Sequence, residues 1–96
     1  MYLIIYDISE TKLRTKVSKL LINEGYDRLQ YSVFCGCFNP KKNSVWKKLN
    51  TFVKDKELSN IICIKISENN FFNLKSIGKF NHDLTYLIGK QKTIII

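Results

Sequence analysis

A two-layer α/β sandwich is the fold class this sequence predicts, and three observations carry the prediction. Two apolar, β-branched runs, "MYLIIYDI" at the start and "NIICIKI" at 60–66, read as buried strands. Two further stretches place apolar residues at i, i+4, i+7 and i+8, the spacing of a helix with one buried face. Between those helices lies an alternating segment, "DRLQYSVFCGCF" at 27–38. The order strand–helix–strand(s)–helix–strand lays both helices over one face of one sheet. With 96 residues, 45% of them hydrophobic, the chain can bury one modest core and is read as one domain, 1–96.

The first strand, 2–8, is central by its composition. Ser9 is placed to cap the helix that follows, with Glu10 in its first turn. Leu13, Val17, Leu20 and Leu21 form that helix's apolar stripe, and Gly25 fits the position just past its end. In 27–38 both alternating sets are partly apolar, so the segment is extended, touched on both faces, and prone to break into two short strands near Tyr31. "NP" at 39–40 opens the second helix, Asn39 as cap and Pro40 at the first helical position. Val45, Leu49, Phe52 and Val53 repeat the stripe, leaving the lysines at 41, 42, 47, 48 and 54 for solvent or a partner. "LTYLI" at 84–88 suggests one more strand. The terminal "TIII" favours strand and needs pairing, so the tail, about 84–96, is expected to add to a sheet edge, the partner subunit's included. The strands are apolar on both sides, and a second sheet from a dimer mate would cover the face the helices leave open.

Sixteen Lys and Arg stand against eight Asp and Glu, a formal net charge of +8. Such a surplus on a small surface attracts polyanions, nucleic acid above all. All but Arg14 and Arg28 are lysines, which attract phosphate diffusely, whereas arginine makes a fixed bidentate contact. The competing explanation is a compositional bias that also enriches Ile and Asn. Cys35, Cys37 and Cys63 are odd in number and lack metal-ligand spacing, so they read as small buried hydrophobes in a reducing compartment. No stretch reaches the length of a membrane span and no signal peptide opens the chain, which points to the cytoplasm and to no membrane partner.

The residue that calls for explanation is Asp7, a carboxylate at the end of a buried strand. Its default role is turn punctuation or a helix cap. Two features weigh against that: Ser9 already offers a capping oxygen, and Lys12, Arg14, Lys16 and Arg28 follow closely. A carboxylate among cations suits phosphodiester chemistry, the carboxylate holding a divalent ion and the cations the phosphate. One Asp is too little for Mg²⁺, but two copies meeting at a two-fold axis would present a pair. Glu10 and Asp27 read as solvated or assisting carboxylates, and His82 as a loop residue.

Taken together, "YLIIYDIS", "LRTKVSKLL" and "GYDRLQYSVFCGCF" before a Pro-started helix resemble the small CRISPR-associated endoribonuclease family, the non-integrase partner in spacer acquisition. YDI at the first strand's end, with RxQYSVF about twenty residues later, is its most specific part, and the resemblance covers residues 2 to 67. It implies a ferredoxin-like βαββαβ sandwich, a homodimer, an extra C-terminal strand pairing with the partner protomer, and Mg²⁺ or another divalent cation between paired aspartates. Carried over by position, the metal ligand is Asp7, with Tyr6 beside it and Arg14, Lys16, Arg28 and Phe34 as cationic and aromatic helpers. Lys16 departs from the Arg of some relatives, keeping the charge and losing the fork. Ser32 fits as a local backbone partner.

The resemblance implies two kinds of work: metal-dependent cleavage of single-stranded RNA or duplex DNA, and bridging of two integrase dimers along a DNA duplex. Two readings compete. One is a non-catalytic ferredoxin-like RNA-binding module stacking bases on Tyr2, Tyr6, Tyr31 or Phe34. The other is a toxin-type ribonuclease on the same fold.

Overall fold

In the computed structural model, the first strand is sandwiched from both sides, and that position follows from its sequence. The structure describes the backbone of residues 1–95 and the side chains of residues 1–90. β1 (Tyr2–Ile8) pairs antiparallel with β3 (Val33–Gly36) on one side and β4 (Ser59–Lys65) on the other. β2 (Asp27–Gln30) closes the sheet beside β3, giving the order β2-β3-β1-β4. With α1 (Thr11–Asn23) after β1 and α2 (Val45–Val53) after β3, the βαββαβ order and antiparallel sheet are those of the ferredoxin-like sandwich expected.

Alternate strand residues project from opposite faces. Ile4, Tyr6 and Ile8 therefore enter one core with Leu13, Val17 and Leu21 of α1, Val45 and Leu49 of α2, Phe34 of β3 and Tyr26. Each fully buried aliphatic or aromatic side chain here contributes about 1.5–3 kcal/mol. Gly25, at φ 95°, ends α1 in the left-handed conformation its lack of a Cβ permits. The hairpin breaks at Tyr31 and Ser32 as expected, and the β2–β3 register shifts between Arg28 and Gln30.

Three expectations are corrected. Ser9 does not cap α1: the N-cap is Glu10, without a side-chain capping bond. The second helix does not run on from Pro40. Asn39 caps as expected, its Oδ1 accepting from the Lys41 N–H at 3.0 Å, but only a 3₁₀ turn forms over Pro40–Lys42. The chain then breaks at Ser44, which is left-handed at φ 64°, and α2 begins afresh at Val45.

The largest correction concerns the tail. Leu84–Ile95 is a helix, α4, so the extra C-terminal strand is overturned over those residues; Ile96 lies outside the described residues. Leu84, Leu87 and Ile88 fall at i, i+3 and i+4 and pack with Phe71 of the short helix α3 (Glu68–Phe72), Leu29 and Cys35. Lys90 Nζ meets Asp27 Oδ1 at 2.6 Å and fastens α4 to β2. The chain's own C-terminal helices, not a second sheet, thus cover the β2–β3 half of the far face. The β4 side of that face stays open: Ile62 and Ile64 are 48% and 43% exposed.

Two outcomes test this packing. A Cβ on Gly36 would come within 2.7 Å of Tyr26 Cε1. The Tyr26 ring is buried, and its hydroxyl donates to the Phe38 carbonyl at 2.8 Å. Gly36→Ala is therefore expected to lower stability by about 1–3 kcal/mol in urea unfolding. Burial, the largest cause, pushes the Cys35 thiol up to about 12, so it resists alkylation at neutral pH. Leu87→Asp is expected to undock α4 and raise Cys35 alkylation, followed by mass spectrometry, by roughly tenfold or more.

Candidate functional site

Asp7 is exposed on β1, opposite Asn60 of β4, between two residues buried under the helices, Tyr6 and Ile8. The alternation that sends Tyr6 and Ile8 inward sends Asp7 to the far face, beside Ile5 and its β4 partner Ile62. Among the described residues the Asp7 carboxylate accepts no hydrogen bond and joins no ion pair. It caps nothing, since the α1 N-cap is Glu10. Turn punctuation is therefore not its role.

What holds this strand end in place is Arg14. Its Nη1 donates to the carbonyls of Ile8 at 2.9 Å and Ser9 at 3.0 Å, and its Nη2 donates to Thr11 Oγ1 at 2.9 Å. Its Nε is buried and unpartnered among the described residues. With three donors committed to the β1–α1 turn, Arg14 is a positioning residue that fixes the backbone just after Asp7. An unmade hydrogen bond at a buried guanidinium costs on the order of 1–3 kcal/mol, so the anchoring bonds must offset it.

Tyr6 grips the neighbouring hairpin twice. Its N–H donates to the Ser32 carbonyl at 3.1 Å, and its hydroxyl donates to the Tyr31 carbonyl at 3.2 Å. Ser32 is thus the local backbone partner expected. The Tyr6 ring stacks against Phe34, centroids 6.2 Å apart. Over Phe34 in turn lies the Arg28 guanidinium, 5.0 Å from the ring centroid and 6.0 Å from that of Tyr31. A shallow pocket of about 210 Å³ opens here, lined by Tyr6, Arg14, Thr15, Ser18, Arg28 and Tyr31.

The residues expected to form one site therefore divide. Tyr6, Arg14, Arg28 and Phe34 come together on the helix side, while Asp7 faces the other way. Lys16 is in neither place: its Nζ lies 5.7 Å from the Phe52 centroid, in a cleft shared with Glu10, Lys12, Thr51 and Lys56. Residues two apart on a helix do not share a face, which separates Lys16 from Arg14. Asp27 is bound to Lys90, and Glu10 pairs with Lys56 at 3.7 Å, so neither carboxylate stands with Asp7. His82 is an exposed loop residue edge-on to Phe80.

Thr15 and Ser18 were not singled out in the sequence, and no motif marks them. Tyr31 was named there as a stacking ring of the RNA-binding alternative and as the break in the hairpin. Of the four rings named for base stacking, Tyr6 and Phe34 are buried under the helices at 3% and 0% exposure, Tyr2 is half-buried, and Tyr31 stays open. A cavity of about 520 Å³ under the loop joining α3 and α4 is lined mainly by Leu3, Leu29, Val33, Leu74, Ile77 and Phe80, an apolar set without catalytic groups. Cysteine nucleophiles are disfavoured at Cys35 and Cys63, whose thiols burial, the largest cause, pushes up.

The donor set for a divalent ion can be judged from these positions. No group of three or more His, Cys, Asp or Glu comes together among the described residues. One exposed carboxylate does not bind Mg²⁺, which needs more charge and keeps its waters. Two such carboxylates brought together would suit it, and Asp7 is uncommitted and lies beside the uncovered apolar strip. A single copy of the chain does not supply that donor set among the described residues.

Comparison with known proteins agrees with the fold. The crystal structure of Cas2 from Streptococcus pyogenes superposes with a TM-score of 0.66 at 23% identity, covering 80% of this chain and 98% of that one, and shows the same fold. A protein named CRISPR-associated endoribonuclease Cas2 1, from Archaeoglobus fulgidus, is 39% identical over 56 residues, which span 57% of this chain and 60% of the relative. The family model described as CRISPR associated protein Cas2 matches residues 1–74, through all four strands, α1, α2 and α3. The chain belongs to the CRISPR-associated Cas2 family.

Proposed function

We propose that this chain works in the cytoplasm as a homodimeric CRISPR adaptation protein. Its aspartate pair would form a metal-dependent endonuclease centre, and its lysine surface would bind the backbone of duplex DNA between integrase dimers. The observation that carries the reading is Asp7: a carboxylate exposed and uncommitted among the described residues, next along the far face from Ile5 and Ile62, on the β4 side of the sheet that the described residues leave open. Apolar residues at 48% and 43% exposure on a sheet face are the kind of surface a second copy buries. Joined there about a two-fold axis, two chains would bring their Asp7 carboxylates to one ion.

In that dimer each residue has a defined task. Asp7 and its mate hold the cation, which when bound supplies an activated water and charge neutralisation at phosphorus. Arg14 keeps the strand end rigid, so that each carboxylate is presented in one place. Arg28, with no ion pair among the described residues, is available to a phosphate. Lys16 contributes attraction from the helix layer and stands apart from the reacting phosphate. The bridging role needs only the basic surface and a docking edge. It draws support from the exposed lysines of the 3₁₀ turn and α2, of which Lys41, Lys42 and Lys47 form no ion pair among the described residues. The named relative is an endoribonuclease, which supports phosphodiester cleavage as the reaction class.

Asp7→Asn decides between the two kinds of work. Asp7 is exposed and unpartnered, so the substitution is expected to change stability by no more than about 0.5 kcal/mol. Cleavage of RNA or DNA by the purified protein should fall on the order of 100-fold or more, and EDTA should do the same to the unaltered protein. Duplex binding should persist in Asp7→Asn and weaken steeply with salt. Equal cleavage by the two proteins would remove the enzymatic half of the reading. A flat salt response would remove the duplex half.

A further inference from the structure

We infer that Tyr31, with Arg28, forms a subsite for one unpaired nucleotide, and that the protein thereby distinguishes single-stranded from duplex nucleic acid. Tyr31 sits at the tip of the β2–β3 hairpin with its side chain 69% exposed. An aromatic ring so open at a turn is ordinarily mobile. Here its backbone is pinned, because Tyr6 donates to the Tyr31 and Ser32 carbonyls through its hydroxyl and its N–H. Arg28 lies against the Tyr31 ring from the side of Phe34, at 6.0 Å, so much of the tyrosine stays open to a planar partner.

The chemistry of the pocket beside this ring specifies what that partner carries. Arg28 is exposed and makes no ion pair among the described residues, and Phe34 beneath it holds the guanidinium in place. Its N–H rim is a ready phosphate site. Thr15 and Ser18 line the same pocket; each hydroxyl donates to a carbonyl of its own helix, at 3.1 Å and 3.0 Å. Their oxygens are left as acceptors for a base amino group or a sugar hydroxyl. A volume of about 210 Å³ admits one phosphate and its sugar, with the base outside on Tyr31. A base held in a duplex is already stacked on its neighbours and cannot turn onto a ring at a hairpin tip; an unpaired base can.

The subsite rests on the reading of this chain as a nucleic-acid-binding protein, but not on the aspartate pair, because it concerns binding alone. It lies on the helix side of β1, so a second copy seated on the open sheet face would leave it accessible.

The test uses the full chain and 2-aminopurine oligonucleotides, whose fluorescence is quenched on stacking, as single-stranded RNA, single-stranded DNA and duplex DNA. Tyr31→Ala is expected to weaken single-strand binding about tenfold and to abolish the quench, with duplex affinity held within about twofold. Tyr31→Phe should retain both, because stacking needs only the ring. Tyr86→Ala, at another exposed tyrosine, should change neither. Arg28→Gln should lower the salt slope of single-strand binding by about one. The Tyr31 carbonyl survives every substitution of its side chain, so the anchoring by Tyr6 is kept, and circular dichroism should confirm an unchanged fold. Equal loss on single strand and duplex, or no loss on either, overturns the subsite. No binding of any of the three probes by the unaltered protein overturns the nucleic-acid reading itself and the subsite with it.

Discussion

The structure depends on the double pairing and two-sided packing of β1. Its register is fixed by β4 from Tyr2 to Ile8 and by β3 from Tyr2 to Ile5. Its even-numbered residues are committed to the helix core, Ile4 at 0% exposure. A slip of one residue would bury Asp7 and expose Tyr6, at a cost of several kcal/mol for the unpaired carboxylate alone. The same period of two therefore sets the fold and the site. It cannot put Tyr6 and Asp7 on one surface.

That separation gives the basic residues different tasks. Arg14, two residues before Lys16 on α1, turns back to the β1–α1 turn, while Lys16 leans on Phe52. Arg28 is the cation that stays open, held over Phe34 by ring contact and not by a carboxylate. Charge surplus alone treats these three as equivalent. Their contacts differ: Arg14 is hydrogen-bonded to backbone carbonyls, Lys16 lies over Phe52, and Arg28 lies over Phe34 and Tyr31 with no ion pair among the described residues.

Much of this was legible in the sequence, and what was not has identifiable causes. Strong periodicity marked β1, α1, the hairpin break at Tyr31 and the stripe Val45–Leu49–Phe52–Val53. Asp7 stood out because a carboxylate interrupts an apolar strand. The tail was misread because Thr85, Tyr86 and Ile88 favour strand locally, whereas Leu84, Leu87 and Ile88 also carry a helical stripe. Packing of that stripe on Phe71 and Leu29 decided the outcome, as tertiary contacts override propensity in short segments. The capping oxygen of Ser9 went unused because the helix begins two residues later. The division of the site could have been foreseen in part: strand parity separates Tyr6 from Asp7, and helical spacing separates Arg14 from Lys16.

α4 bears directly on assembly. It shields the β2–β3 half of the far face and pins itself to Asp27, leaving the strip of Ile5, Asp7, Ile62 and Ile64 open among the described residues, the strip proposed to meet a second chain. Two chains joined across this strip would bring their Asp7 carboxylates to one cation. Calorimetric titration of the protein with Mn²⁺ or Mg²⁺ tests this most directly through the stoichiometry. One ion for every two chains is expected, lost when Asp7 is replaced by Asn; one ion per chain, or the same binding after replacement, would rule out the shared site.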